Sequence, residues 1–263
     1  MKGIILSGGM GTRLHPLTRV TSKQLLPVYD RPMIYYPLRT LLDAGITEIL
    51  IIVAPDHCGD YMKLLGSGKE FGAKFTYEIQ EKPEGIAQAF LIGAQFIGSD
   101  NVALILGDNI FADNFDLFVK NFEKGAQIFA KEVNDPERFG VVERDEKGRP
   151  IRIIEKPIQF VSKYAIPGLY LYDNRVVEIS KALKPSARGE LEVIDLHQWY
   201  LDKGELEVTT ITGKWIDAGT FESLHSASVW ARKHNLGEGY WQCHQKVRLS
   251  DHEFELGIEI VEK

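Results

Sequence analysis

Short, unbroken runs of aliphatic and β-branched residues, each followed by a stretch of helical spacing, restrict this chain more than any other feature. Residues 3–6, Glu48–Val53 and Val102–Leu106 are such runs, and Lys74–Ile79 reads as a further strand. Between them, residues 32–44, 61–65 and 86–97 carry the amphipathic pattern of helices. A strand that is apolar on both sides has to be covered on both sides. The order therefore implies an α/β protein with a parallel sheet between two helical layers. Such sheets gather ligand loops at the carboxyl ends of their strands. Three polar segments belong there: Leu6 runs into Ser7-Gly8-Gly9, Ile79 into Gln80, and Leu106 into Gly107-Asp108-Asn109.

The second half differs in texture. Gly140–Arg144 and Pro150–Glu155 flank a charged turn and read as a hairpin. Residues 164–172 and 206–211 read as strands, and 174–183, 191–203 and Phe221–His234 as helices. The expected organisation is one mixed α/β domain over residues 1–236, with a smaller lobe over about 135–213 and a polar, acidic tail over 237–263. At 263 residues the chain is long enough for one substantial core. Its net charge of −6 argues against a nucleic-acid or membrane-surface partner. Cys58 and Cys243 form no disulfide framework, which suits a reducing cytoplasm. The seven histidines lack zinc-site spacing.

The glycine-rich loop Ser7-Gly8-Gly9-Met10-Gly11-Thr12-Arg13 follows the first strand, where backbone N–H groups can turn toward an anion. It is not a Walker A loop, since no lysine follows the last glycine. It is not a dinucleotide fingerprint either, since Leu14 stands where that needs a third glycine. No Asp or Glu occurs from Met1 to Tyr29, whereas Lys2, Arg13, Arg19 and Lys23 do. An acid-free, basic loop at a strand end fits a polyphosphate. Asp108 at a strand end and Asp217 before a helix are candidate metal carboxylates. Taken singly, each reads at least as well as a turn or cap residue. Gln80 alone reads as a solvated loop residue, and Glu155-Lys156 alone as a surface ion pair.

Gly8-Gly9-Met10-Gly11-Thr12-Arg13-Leu14, Pro16-Leu17-Thr18, Ser22-Lys23-Gln24-Leu25-Leu26-Pro27-Val28 and Arg31-Pro32-Met33-Ile34-Tyr35-Tyr36-Pro37-Leu38, taken together, resemble the sugar nucleotidyltransferase family. Within it the thymidylyl branch is nearest, and the likeness runs in order to about Ser228. The resemblance implies a Rossmann-like three-layer nucleotidyltransferase fold, with a mostly parallel mixed central sheet and a sugar-binding lobe. It implies transfer of a thymidylyl group from dTTP to glucose 1-phosphate with Mg²⁺, in a homo-oligomer of two or four copies. UTP or another sugar 1-phosphate is the alternative substrate, and a non-catalytic nucleotide-sugar-binding relative the alternative class.

By resemblance, Arg13 and Lys23 are the catalytic cations. Leu6, Gly8, Gly9, Gly11, Thr12, Arg13, Gln24, Gln80, Gly85 and Asp108 bind the nucleotide. Gly140, Glu155, Lys156 and Ile166 bind the sugar phosphate, and Asp108 and Asp217 hold the metal. Three positions depart from the thymidylyl pattern: Ile154 replaces a glutamate, Pro167 a threonine, and Ala218 a threonine. Pro167 lacks a backbone donor, so an altered sugar preference is expected. Residues 241–263 offer no stretch that aligns by eye, so feedback control by a deoxysugar nucleotide is not expected.

Overall fold

The structure, a computed structural model, describes residues 1–234; the expected tail over 237–263, Cys243 included, lies outside them. Strand β1 (Lys2–Ser7) leads through the glycine-rich loop to a small hairpin, β2 (Pro27–Val28) and β3 (Arg31–Pro32), and on to helix α1 (Tyr35–Asp43). Then come β4 (Glu48–Val53), α2 (Cys58–Leu65), β5 (Lys74–Ile79), α3 (Gln88–Ile92), α4 (Ala94–Ile97) and β6 (Val102–Leu106). β7 (Asn109–Phe111), α5 (Asp116–Asn121) and β8 (Ala126–Glu132) precede the hairpin of β9 (Gly140–Arg144) and β10 (Pro150–Glu155). The chain continues with β11 (Tyr164–Ala165), β12 (Leu169–Tyr172), α6 (Val176–Ala182) and α7 (Val193–Asp202). β13 (Leu206–Thr210), β14 (Trp215–Asp217) and α8 (Phe221–His234) complete it.

Ten strands form one sheet in the order β10-β9-β11-β8-β12-β6-β1-β4-β5, with β13 joining β8. β6, β1, β4 and β5 are mutually parallel, and β12 enters antiparallel to β6. The sheet is thus mixed with a parallel centre, as its apolar runs required. Alternation along β1 and β4 divides the core into two layers. Ile4, Leu50, Ile52 and Leu104 face α3, α6 and α7, while Ile5, Ile49, Ile51 and Ile105 face α1 and α2. All eight are fully buried, each worth about 1.5–3 kcal/mol against exposure. A third cluster of Val28, Met33, Tyr36, Ile110, Ile216, Ala227 and Ala231 clamps α8 against β2 and the β7–β14 pair. Among the described residues no helix is long and apolar enough to cross a membrane.

Several expected elements are altered by tertiary contacts. The helix expected over 32–44 begins only at Tyr35, because Arg31–Pro32 pairs with Pro27–Val28 and the Met33 N–H donates to the Leu26 carbonyl. The helix over 86–97 is split at Gly93, whose position presses onto Leu50 and Ile4. The strand over 164–172 becomes β11 and β12, separated at Pro167, with both parts still lying along β8. β8 itself was not anticipated. Gln127 and Lys131 interrupt its apolar run, and the Gln127 amide is buried by donating to the Ile128 carbonyl and to Thr209 Oγ1 (2.9 and 3.2 Å).

His197 on α7 is fully buried between Tyr170 and Tyr172, and neither ring nitrogen has a hydrogen-bond partner. Burial lowers its pKa from 6.5 to about 3, so the folded protein refuses a proton that the unfolded chain accepts. Its titration therefore takes nothing from stability above about pH 6.5, and stability falls as the pH drops below that, by up to about 1.4 kcal/mol per pH unit. His197→Leu is expected to flatten the fall in Tm between about pH 6.5 and pH 4. Thermal melts across that range check it; an unchanged slope would place the acid lability elsewhere.

Candidate functional site

The carboxyl ends of β1, β5 and β6 converge as the parallel centre dictates, and the residues singled out there come together. Gly11 adopts a left-handed conformation (φ 60°), and its α-carbon faces the Thr18 and Lys23 side chains. A side chain at Gly11 would be both strained and crowded. The Thr18 hydroxyl donates to the Gly11 carbonyl at 2.8 Å, and buried Leu14 pins the turn to the core. Gly8 lies directly against the Gln80 amide, leaving no room for a β-carbon. Gly9 has open space around it and is exposed, so of the three loop glycines it is the one an anion can approach from outside. Thr12 is likewise exposed, and Leu6 is half-buried at the strand end, its carbonyl accepting from the Gly107 N–H at 3.0 Å.

Lys23 and Asp108 form a close, largely buried ion pair through Nζ and Oδ2. Asp108 Oδ1 accepts from Asn109 Nδ2 at 3.0 Å. Burial works to raise the Asp108 pKa, but the Lys23 charge and the two side-chain hydrogen bonds hold it below the usual carboxylate range. β14 pairs with β7 so that Asp217 sits opposite Asn109, beside Asp108. Here burial and then the Asp108 charge raise the Asp217 pKa to about 7, against the pull of Lys23 and Arg13. The Arg13 guanidinium packs on Gly219, where a β-carbon would meet Nη2 at 2.8 Å.

Two opposed carboxylates, one of them with its pKa raised to about 7, form a site that a divalent cation would relieve. Among the described residues no group of three or more His, Cys, Asp or Glu is arranged for a metal. A pair of carboxylates leaves most coordination positions to phosphate oxygens and water, which suits a small hard cation. Asp108 and Asp217 fit that role.

Gln80 is buried; its Nε2 donates to Gln88 Oε1 at 2.6 Å, and Gln88 Nε2 donates to Glu84 Oε2 at 2.8 Å. Gly85 (φ 106°) is pressed against the Leu191 backbone, so its glycine is already demanded by the fold. Gln24 is buried with Oε1 accepting from Ser22 Oγ (2.9 Å) and Tyr61 OH (3.2 Å). Its oxygen thus works inside the protein.

A second group forms around β9 and β10. Gly140 packs against Glu155 and Ile166, and the Ile166 N–H donates to the Gly140 carbonyl at 2.8 Å. Lys156 takes a left-handed conformation (φ 42°), with its N–H on the Phe139 carbonyl (3.0 Å) and Nζ 3.3 Å from Glu155 Oε1. Arg188, which the sequence reading did not single out, approaches the same Glu155 oxygen at 3.7 Å. Asn109 carries no role in the sequence beyond its place in the polar strand end after Leu106. Trp215 Nε1 donates to Asn109 Oδ1 at 2.7 Å, and its ring packs on Phe139 at 5.0 Å. Adjacency to Asp108 was the only available signal for Asn109, and Arg188 had none.

Residues 2–233 match the model of the family described as nucleotidyl transferase. A Neisseria meningitidis protein named glucose-1-phosphate thymidylyltransferase is 51% identical, the alignment covering 97% of this chain and 93% of that one. That coverage carries the likeness into residues 241–263, correcting the reading that this stretch has no alignable counterpart. A Mycolicibacterium smegmatis protein of the same name is 51% identical over 91% of this chain and 85% of its own. In structure, the chain is similar to a Bacillus anthracis protein assigned as a glucose-1-phosphate thymidylyltransferase and crystallised with sucrose. That match has TM-score 0.86 and 48% identity, covering 91% of this chain and 98% of that one. A UDP-glucose pyrophosphorylase with UDP-glucose shares the fold at TM-score 0.78 and 24% identity, over 89% and 98% of the two chains.

The left-handed backbone at Lys156 is costly for a residue with a β-carbon. Lys156→Gly is expected to hold or raise stability, by up to about 1 kcal/mol, while removing the cation beside Glu155. Urea titration checks this, and a clear loss of stability would make Lys156 a structural anchor.

Proposed function

Because this chain belongs to the nucleotidyl transferase family, we infer that it transfers the thymidylyl group of dTTP to glucose 1-phosphate, giving dTDP-glucose and pyrophosphate. The observation that supports this most is the convergence of Arg13, Lys23, Asp108 and Asp217 at the ends of β1, β6 and β14. The reaction brings two anions together. A phosphate oxygen of the sugar attacks the α-phosphorus, and the bond to the β-phosphate oxygen breaks as pyrophosphate leaves. A phosphate monoester is already an anionic nucleophile, so no side chain has to take its proton. What the protein must supply is positioning and positive charge.

In this reading Gly9 and Thr12 face the polyphosphate across open space, while Gly8 and Gly11 bind it by shaping the loop's backbone, beside the end of β1 at Leu6. Arg13, held over Gly219, offers a fork of donors to it, and Lys23 a point charge near the α-phosphorus. Gln80, held by Gln88, offers donor and acceptor groups for a pyrimidine edge, with Gln24 and Gly85 shaping the same side. Glu155 accepts from sugar hydroxyls, Lys156 and Arg188 meet the sugar phosphate, and Gly140 and Ile166 form the wall. Enzymes of this family use a divalent metal. We take it to be Mg²⁺ on Asp108 and Asp217, where it would neutralise charge on the α-phosphate and the leaving group. We also propose a homo-oligomer of two or four copies working in the cytoplasm.

Pyrophosphate release from dTTP and glucose 1-phosphate should require Mg²⁺ and stop on chelation. A clear preference for UTP in parallel assays would sink the thymidylyl assignment. Arg13→Ala is expected to lower kcat by about 10²–10³ with little change in Tm, and Asp108→Asn to lower kcat as much. Gly219→Ala makes a finer probe. Its methyl group would displace the Arg13 guanidinium and press on Asp217 Oδ1 at 3.1 Å, meeting no apolar side chain, so about a tenfold loss of kcat at unchanged Tm is expected. Full activity in Gly219→Ala would show that Arg13 acts from some other position.

A further inference from the structure

We propose that Asn109 is a positioning residue that locks the sugar side of the site to its carboxylate side, and so sets the line of attack. The inference deepens the function proposed above and rests on it. Asn109 is 2% exposed, and its side chain makes three hydrogen bonds that lead in different directions. Nδ2 donates to Asp108 Oδ1 at 3.0 Å. Oδ1 accepts from the Gly168 N–H at 2.9 Å and from Trp215 Nε1 at 2.7 Å.

These partners allow one orientation of the amide. A flip would aim the NH₂ group at two other donors and the oxygen at a carboxylate. Asp108 is fixed in turn, with Oδ1 held by Asn109 and Oδ2 by Lys23. On the other side, each of the two donors leads to the sugar-phosphate group by its own route. Gly168 follows Pro167, which has no N–H, and Ile166, whose N–H is on the Gly140 carbonyl. Trp215 packs on Phe139, whose carbonyl takes the Lys156 N–H. One amide therefore connects the candidate metal carboxylate with both Gly140 and Lys156. The backbone of the same residue also pairs β7 with β14 opposite Asp217. An in-line transfer loses rate steeply when either phosphate is displaced by about an ångström. No other side chain among the described residues is shown bonding to all three of these elements.

Asn109→Asp tests this in the full chain, since it keeps the acceptor for Gly168 and Trp215 and turns the donor to Asp108 into a second acceptor. Trp215→Phe removes one arm only and serves even where the first variant folds poorly. The readouts are kcat, the KM for glucose 1-phosphate, the Tm, and the Kd for dTTP by calorimetry without the sugar. In Asn109→Asp, kcat is expected to fall by about 10² or more and the KM for glucose 1-phosphate to rise about tenfold, with the Kd for dTTP within about threefold of wild type. Trp215→Phe should show the same split on a smaller scale. Wild-type kinetics in either folded variant overturn the proposal, as does a loss that falls equally on dTTP and on the sugar phosphate. If the unaltered protein releases no pyrophosphate from these substrates, the proposed function fails instead, so the two failures are told apart.

Discussion

Asp108 and Asp217 oppose each other at the ends of β6 and β14, and much of the architecture exists to hold that pair. Asp108 comes with the parallel centre. Asp217 arrives more than a hundred residues later, on a short strand fastened to β7 and backed by α8 through a cluster of small and aliphatic side chains. Burial penalises the Asp217 carboxylate and the Asp108 charge repels it, and its raised pKa registers both costs. Lys23 offsets them on one side and Arg13 on the other. The same four charges suit a polyanion bound with a divalent cation, because each unfavourable contact within the protein becomes a favourable one with the ligand.

The glycines follow from the same geometry, though not as a single cradle. Gly8 is glycine because Gln80 needs the space, and Gly219 because Arg13 does. Gly85 answers to the Leu191 backbone and Gly11 to a left-handed turn packed on Lys23. Of these site glycines Gly9 alone faces open space. A glycine-rich motif is commonly read as backbone reaching for phosphate. Here most of its glycines give room to the side chains that do the reaching.

What the sequence made legible tracks how local each signal is. The unbroken runs at Glu48–Val53 and Val102–Leu106 announce a doubly covered parallel sheet, because no other arrangement buries both of their faces. β8 escaped notice because Gln127 is buried against β13, where Thr209 some eighty residues away accepts from its amide, which no local pattern reveals. The same limit applies in the site. Arg13, Lys23, Asp108 and Asp217 could be named from motifs, but Asn109, Trp215 and Arg188 matter through what they touch. Gly168, Phe139 and Glu155 are remote from them in sequence.

The departures at Ile154 and Pro167 look different once the strands are in register. Ile154 pairs with Val141, and Glu155 with Gly140, so neighbouring side chains point to opposite faces of β10. Glu155 points toward Gly140 and Ile166, which makes Ile154 a residue of the outer face. There it lines a cavity of about 590 Å³ together with Glu143, Arg152, Glu155, Lys156 and the 157–161 segment. An isoleucine in place of a glutamate at 154 therefore removes a carboxylate from the wall of a cavity that Glu155 and Lys156 share. Pro167 gives up an N–H, but the donor this turn needs comes from Gly168 and goes to Asn109. The proline thus leaves the Asn109 amide its partner, while the isoleucine makes the shared cavity more apolar.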